Sequence, residues 1–308
     1  MVTGIHRFDL ENKLAFLFSF AALITTDLHQ VQLALQAQLQ PRYGDREAGL
    51  IAWMCLEKIT GSIPSQLRSE KNRTLTPPQL QQLELWKFDL LRGRPVQYVL
   101  EEAWFQDMPL YVNESVLIPR PETEELVAWI INDLKADVSG GIIVDIGTGS
   151  GCIPISLARR LNRFSCYGVD VSTAALSVAA RNGADFAPGV NWLQVNFLDA
   201  AARKLLPAAK VIVSNPPYIP LSGKPLMDPH VTEHEPSLAL FVPDEDPLLF
   251  YKEIALYAQQ SAAVELVYLE IHEGSGEAVK GCFASAGFKH ITVRTDMQGK
   301  DRMVKASR

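Results

Sequence analysis

The sequence predicts an α/β protein: a small N-terminal helical bundle, a linking β-hairpin, and a seven-stranded, mostly parallel sheet covered by helices. Three observations predict it. Apolar residues recur at helical spacing over residues 11–91, that period vanishes between residues 93 and 121, and from residue 141 short β-branched runs alternate with helical segments. The boundaries that follow are 1–92 for the bundle, 93–120 for the hairpin and 121–308 for the sheet domain.

A chain of 308 residues with 47% hydrophobic composition can bury a large core. The net charge of −6 is uneven: residues 1–92 hold 10 Lys and Arg against 9 Asp and Glu, and the remainder holds 19 against 26. An acidic C-terminal part argues against a duplex-DNA partner held by its phosphates. Cys55, Cys152, Cys166 and Cys282 show no paired spacing, which points to reduced thiols rather than a zinc ribbon or a disulfide framework. Residues 14–24 are apolar but too short to span a bilayer, and Asp9 and Glu11 precede them, unlike a signal peptide. A core-facing helix and a cytoplasmic location are expected.

In the bundle, Val31, Leu35 and Leu39, then Leu50, Met54 and Ile59, form apolar stripes. Breaks are expected at 41–44, 61–64 and 77–78, where prolines and glycines interrupt the pattern. Thr76 is a candidate N-cap, with Pro77 at the first helical position. Between residues 93 and 121 the aromatic and β-branched residues predict extended chain with turns at 107–109 and 113–115. Pro121 then opens a helix whose first residues include Glu122, Glu124 and Glu125, the charge a helix N-terminus favours.

From residue 141 the candidate strands are 142–145, 165–170, 191–196, 211–214, 263–271, 290–295 and 302–305, with helices near 151–162, 172–182, 248–261 and 274–286. This alternation implies a parallel sheet with both faces covered, and the short Gly299 turn makes the last two strands antiparallel. The first strand runs into V-D-I-G-T-G-S-G, so Gly147, Gly149 and Gly151 stand between a strand and a helix. Such a turn lets backbone approach a nucleotide, and Asp170, at the end of the second strand, is placed to hold ribose hydroxyls. The spacing is not the dinucleotide pattern, and no Lys-Ser/Thr follows as in a triphosphate loop. Asp145, Asp170, Asn196 and Asn215 all fall at carboxyl ends of strands, where one crevice can collect them.

The run V-I-V-S-N-P-P-Y-I-P, residues 211–220, ends a buried strand on an amide, two prolines and an aromatic. It presents the Asn215 side-chain oxygen, a backbone carbonyl and the Tyr218 ring towards one small group. His230 and His234 lack a third ligand in any convincing pattern, so no metal is expected.

D-I-G-T-G-S-G, G-V-D-V-S-T-A-A-L-S-V-A-A-R-N and S-N-P-P-Y-I-P together resemble the Rossmann-like class I S-adenosylmethionine-dependent methyltransferases that modify a planar NH2 nitrogen. R-P-V-Q-Y-V, V-L-I-P-R-P-E-T-E-E-L-V and D-M-Q-G-K-D-R-M-V are similar, more narrowly, to the peptide chain release factor glutamine N5-methyltransferases. Asn-Pro-Pro-Tyr alone is shared with N6-adenine methyltransferases.

The resemblance implies that Gly147, Thr148, Gly149, Ser150 and Gly151 wrap the methionine part of S-adenosyl-L-methionine, leaving S-adenosyl-L-homocysteine as product. It further implies that Asp170 holds the ribose and Phe197 lies against the adenine. Asn215, Pro216, Pro217 and Tyr218 then hold the glutamine of a release factor's Gly-Gly-Gln motif, beside the cofactor. The helical domain implies docking of that protein partner, with no direct nucleic acid and no membrane.

Two departures from the family pattern stand out. Asn196 replaces a commonly acidic residue, and V-P-D-E-D-P-L follows E-P-S-L-A-L where a glycine-rich segment is usual.

The chemistry asks for little more than placement. An amide nitrogen has its lone pair delocalised, and acceptors on its two hydrogens, the Asn215 oxygen and the Pro216 carbonyl, favour the pyramidal nitrogen that forms as a methyl group arrives. Tyr218 packs on the substrate amide. Rival readings are methylation of a nucleic-acid exocyclic amine, which needs a flipped base, methylation of a ribosomal-protein glutamine, and a non-catalytic cofactor-binding docking protein.

Overall fold

The computed structural model describes residues 25–70 and 73–308, so the apolar stretch 14–24 lies outside the described residues. Two compact units divide the chain, one ending at Leu100 and one running from Glu101 to Arg308. Among the described residues no helix is long and apolar enough to cross a membrane.

In the first unit, Asp27 caps helix α1 (Leu28–Thr60) by accepting from the Gln30 N–H at 3.0 Å. Pro41 and Gly44, the latter with φ 71°, kink this helix where the break was expected, and Gly61 ends it in the left-handed conformation. Val31, Leu35 and Leu39 are fully buried. Beyond the kink the stripe is displaced: Leu50 is 59% exposed, and Ile51, Cys55 and Leu56 carry the core instead. Met54 and Ile59 pack partly buried against this core, so of the expected stripe only Leu50 lies off the buried face. After α2 (Pro64–Ser69), helix α3 (Pro77–Leu91) starts as expected, with Thr76 as N-cap and the Gln79 side chain accepting from the Thr76 N–H at 2.9 Å. The extended reading fails at Val96–Val99, which form one helical turn, α4; burial of Tyr98 and Val99 outweighs their β propensity.

The second unit opens with the hairpin β1 (Ala103–Phe105) and β2 (Met108–Leu110). Its turn is Gln106 and Asp107, one step earlier than the expected 107–109; Gln106 takes φ 53° and Pro109 pairs with Trp104 inside the ladder. The second expected turn is present, with the Ser115 N–H donating to Asn113 Oδ1 at 3.0 Å. Two contacts anchor the hairpin tip. Gln106 N–H donates to Glu124 of helix α5 (Pro121–Leu134) at 2.8 Å, and Arg159 reaches both Asp107 oxygens at 3.0 and 3.3 Å.

The sheet then follows as β3 (Gly141–Ile146), helix α6 (Cys152–Arg160), β4 (Phe164–Asp170), helix α7 (Thr173–Phe186), β5 (Asn191–Gln194) and β6 (Val211–Ser214). A parallel bridge joins β7 (Ile219–Pro220) to β8 (Phe241–Val242), with short helices α8 (Pro229–His234) and α9 (Ser237–Leu240) between them. Helix α10 (Leu249–Gln260), β9 (Leu266–Glu270), helix α11 (Gly276–Ser285), β10 (His290–Thr295) and β11 (Asp301–Ser307) complete it.

The order across the sheet is β10-β11-β9-β6-β3-β4-β5. The five strands from β9 to β5 are mutually parallel, and β11 runs antiparallel to both neighbours. Every expected strand is present.

Alternation along the strands feeds two cores. Ile143, Val211, Val213 and Tyr268 point to the face covered by α5 and α6, while Val144, Ile212, Val267 and Leu269 point to the face covered by α10 and α11. Each such burial stabilises by about 1.5–3 kcal/mol.

At the β4–β5 end the Trp192 indole lies in a slot that glycines leave open. A Cβ would stand 2.8 Å from it at Gly151 and 2.7 Å at Gly183. Gly183→Ala gains about 0.5–1 kcal/mol in helix propensity but overpacks the slot at a cost of about 1–3 kcal/mol. A net loss in urea denaturation is expected; a net gain would show that the indole is free to shift.

Candidate functional site

A cavity of about 380 Å³ opens at the carboxyl ends of β3, β4 and β6, where parallel α/β sheets place ligands. Asp170, Asn196 and Asn215 line it as the strand-end reading expects. Asp145 does not: it is fully buried behind the wall, because β3 is a central strand and the glycine turn closes over its end.

The turn is held by backbone. Gly147 and Thr148 N–H groups both donate to Val169 O, at 2.8 and 2.9 Å, which ties the turn to β4. Positive φ at Gly147, Gly149 and Gly151 lets the chain reverse within five residues. Gly149 N–H donates to Asp170 Oδ2 at 3.0 Å and Ser172 N–H to Oδ1 at 2.9 Å, so each carboxylate oxygen keeps acceptor capacity for a ligand. Gly147, Thr148, Gly149 and Ser150 line the cavity; Gly151 lies below, as N-cap of α6 against Trp192.

Phe197 also reaches the cavity, but its ring is 4% exposed, edge-on to Tyr257 at 5.7 Å and beneath the Arg203 guanidinium. Val171 and Leu198, 41% and 38% exposed, offer the more open apolar walls.

A strap formed by residues 115–120 lines part of the cavity. Arg120 pairs with Glu235 at 2.5 Å, and Ile118 N–H donates to the other Glu235 oxygen at 3.2 Å. The Glu235 carboxyl is nearly inaccessible, so removing Arg120 strands a buried charge. The unusual loop after α9 is anchored too, since Asp244 accepts from Ser222 N–H at 2.8 Å.

Asn215 stands just after β6. Its Nδ2 donates to Thr123 Oγ1 at 3.2 Å, and that hydroxyl donates to Glu270 Oε2 at 2.6 Å. Of the residues that follow, Pro217 lines the cavity and Pro216 is buried. Tyr218 does not line it; its ring stands edge-on to His272 at 5.8 Å, and burial pushes its phenol up to about 12.

Two carboxyl groups are pushed up to about 7, in each case chiefly by burial. For Asp145 the Asp170 charge adds to the rise and the Thr148 side chain opposes it; for Glu270 Thr123 and Arg302 oppose it. Among the described residues both Asp145 oxygens and the Thr148 hydroxyl make no well-formed hydrogen bond, although Thr148 lies close enough to Asp145 to favour its ionised form.

Motif reading missed the supporting side chains. Thr123 lies inside P-R-P-E-T-E and Glu270 interrupts the apolar run V-Y-L-E-I, a signal in itself, since a lone carboxylate on a buried strand needs a reason. Asn182 leaves no such trace. Its amide spans Tyr111 N–H, Tyr111 O and Ser150 O at 2.7, 2.9 and 2.9 Å, joining the hairpin exit to the glycine turn.

Comparison with known proteins places residues 30–100 in the PrmC N-terminal domain family and residues 126–224 in the methyltransferase small domain family. A release factor glutamine methyltransferase of Flavobacterium psychrophilum is 41% identical over 232 residues, covering 74% of this chain and 81% of the relative. The protein of the same name from Bacteroides thetaiotaomicron is 32% identical over 282 residues, covering 91% of this chain and all of the relative (100%). Among solved structures, the hMettl16 catalytic domain in complex with MAT2A 3'UTR hairpin 6 matches with TM-score 0.52 at 16% identity, over 77% of this chain and 84% of that one, a likeness of fold.

The raised Asp145 carboxyl has a consequence for stability. The unfolded chain sheds this proton near pH 4 but the folded chain holds it to about pH 7, so the native protein loses stability as pH rises through that window. Asp145→Asn removes the loss. Relative to the native chain, the variant is expected to gain stability between pH 4 and pH 7 in urea denaturation; an unchanging difference would contradict the burial effect.

Proposed function

The chain belongs to the release factor glutamine methyltransferase family, and from that premise we propose that its cavity binds S-adenosyl-L-methionine beside a release-factor glutamine held at Asn215. The reaction is methylation of the side-chain amide nitrogen (N5) of the glutamine in the Gly-Gly-Gln motif of a peptide chain release factor.

The cavity suits this cofactor. The space around Gly149 is open, and Asp170 keeps acceptor capacity for a diol. We assign Gly147, Thr148, Gly149 and Ser150 to the methionine part, with Gly151 shaping the turn, Asp170 to the ribose, and Phe197 with Val171 and Leu198 to the adenine. When bound, the cofactor supplies an electrophilic methyl group on a sulfonium.

The observation that carries the reading is the orientation of the Asn215 amide. Its NH2 is engaged by Thr123, which leaves Oδ1 free to accept from a ligand in the cavity that both residues line. With the Pro216 carbonyl as second acceptor, Asn215 aligns a substrate NH2 and favours its pyramidal form. Pro217 stiffens the turn, and Tyr218, outside the cavity, supports it from behind against His272. Tyr218 keeps its proton at neutral pH and is no base; the nitrogen's proton passes to water once the new N–C bond has made it acidic. Docking of the release factor is assigned to residues 1–92, the link to 93–120 and catalysis to 121–308. A cytoplasmic location goes with this substrate.

The test is incubation with labelled S-adenosylmethionine and a release factor, native or with the Gly-Gly-Gln glutamine changed to Ala. Label is expected on the native factor alone; label on the altered factor, or only on added RNA or DNA, would overturn the reading. Asn215→Ala is expected to lower kcat by roughly 10²–10³-fold while S-adenosylhomocysteine affinity by calorimetry stays nearly native.

A further inference from the structure

We propose that Thr123 and Glu270 are positioning residues that set the hydrogen-bond polarity of Asn215, and thereby make the site select an acceptor that donates from an NH2 group. The proposal rests on the methyl-transfer reading above and names what holds its central side chain.

The three residues come from three elements. Thr123 lies in the first turn of α5, Glu270 is the last residue of β9, and Asn215 follows β6, whose Ser214 pairs with Leu269 of β9. Thr123 and Glu270 are 3% and 2% exposed, so solvent does not compete for their hydrogen bonds.

The direction of the series follows from donor and acceptor chemistry. An ionised carboxylate only accepts, so the single Thr123 hydroxyl proton goes to Glu270 at 2.6 Å. Thr123 Oγ1 then has only lone pairs left for Asn215, which must offer its NH2, at 3.2 Å. The amide oxygen is consequently held away from Thr123, free to accept from substrate. Asn215 alone, turning about its last torsion, offers donor or acceptor with little preference; the buried carboxylate removes that ambiguity.

Protonation of Glu270 removes the constraint. A neutral carboxyl can donate to Thr123, Thr123 can donate to the Asn215 oxygen, and the amide then presents its NH2 to the substrate NH2, donor against donor. Facing the Glu270 carboxyl are Arg302 from β11, Arg120 and Glu122 at the start of α5, Tyr218 after β6, Tyr251 from α10 and Cys152 from α6. Arg302 is itself engaged by Asp296 at 3.2 Å and lies 3.9 Å from Glu273, so its charge does not belong to Glu270 alone. Burial raises Glu270 to about 7 in this setting. The active ionised form is therefore lost as pH falls through that value.

The experiment measures kcat against pH for the native enzyme, Thr123→Ser, Thr123→Val and Glu270→Gln, with S-adenosylhomocysteine affinity and thermal melts alongside. Thr123→Val and Glu270→Gln are expected to lower kcat by roughly tenfold to a hundredfold with cofactor affinity unchanged, and to lose the acid limb near pH 7. Thr123→Ser is expected to retain both rate and limb. Equal losses in Thr123→Ser and Thr123→Val, or cofactor affinity falling in step with kcat, overturn the proposal. Should Thr123→Val or Glu270→Gln fail to fold, the native profile decides: without an acid limb near pH 7 the proposal falls. A native enzyme that leaves the release-factor glutamine unmethylated refutes the functional reading instead, so the two failures are separable.

Discussion

Two carboxyl groups, Asp145 and Glu270, are sealed inside the protein at the ends of the two strands that flank β6. A buried carboxylate is costly unless something offsets it, and the site is arranged around these two. Behind the glycine turn Asp145 meets only the Thr148 side chain, without a well-formed hydrogen bond, so its burial is poorly offset. Beside β6, Glu270 is met by Thr123, and through Thr123 it governs Asn215. One buried acid thus stands behind the glycine turn and the other beside Asn215.

Parallel pairing makes this possible. Because β3, β4, β6 and β9 run the same way, their carboxyl ends meet at one edge, and consecutive strands contribute polar residues to one cavity. The remaining walls are brought in from outside the sheet. Glu235 clamps the strap at Ile118 and Arg120, and Asn182 joins Tyr111 to Ser150. The hairpin exit is thus joined to the glycine turn through the Asn182 amide.

The departures from expectation share a cause. Val96–Val99 are helical because burial outweighs local preference, and the hairpin turns one residue early because the Gln106 amide and the Asp107 carboxyl are each held by a helix. In each case a contact distant in sequence overrides a local rule. Asp145 follows the same logic: its position at a strand end is legible, but whether it faces the cavity depends on how the turn folds over it.

By itself the sequence determined the alternation of strands and helices, the glycine turn with Asp170, and the Asn-Pro-Pro-Tyr turn, because periodicity, turn chemistry and short motifs are local properties. The two-faced core was legible for the same reason, since residues alternate in and out along every strand. Only the tertiary structure decided which polar groups meet. Thr123 and Glu270 stand 147 positions apart and Asn215 and Thr123 92 apart; Asn182 reaches Tyr111 across 71. Hydrogen bonds formed across such separations leave no period and no spacing in a chain, so the polarity of Asn215, on which the chemistry turns, becomes visible only when three distant elements are brought together.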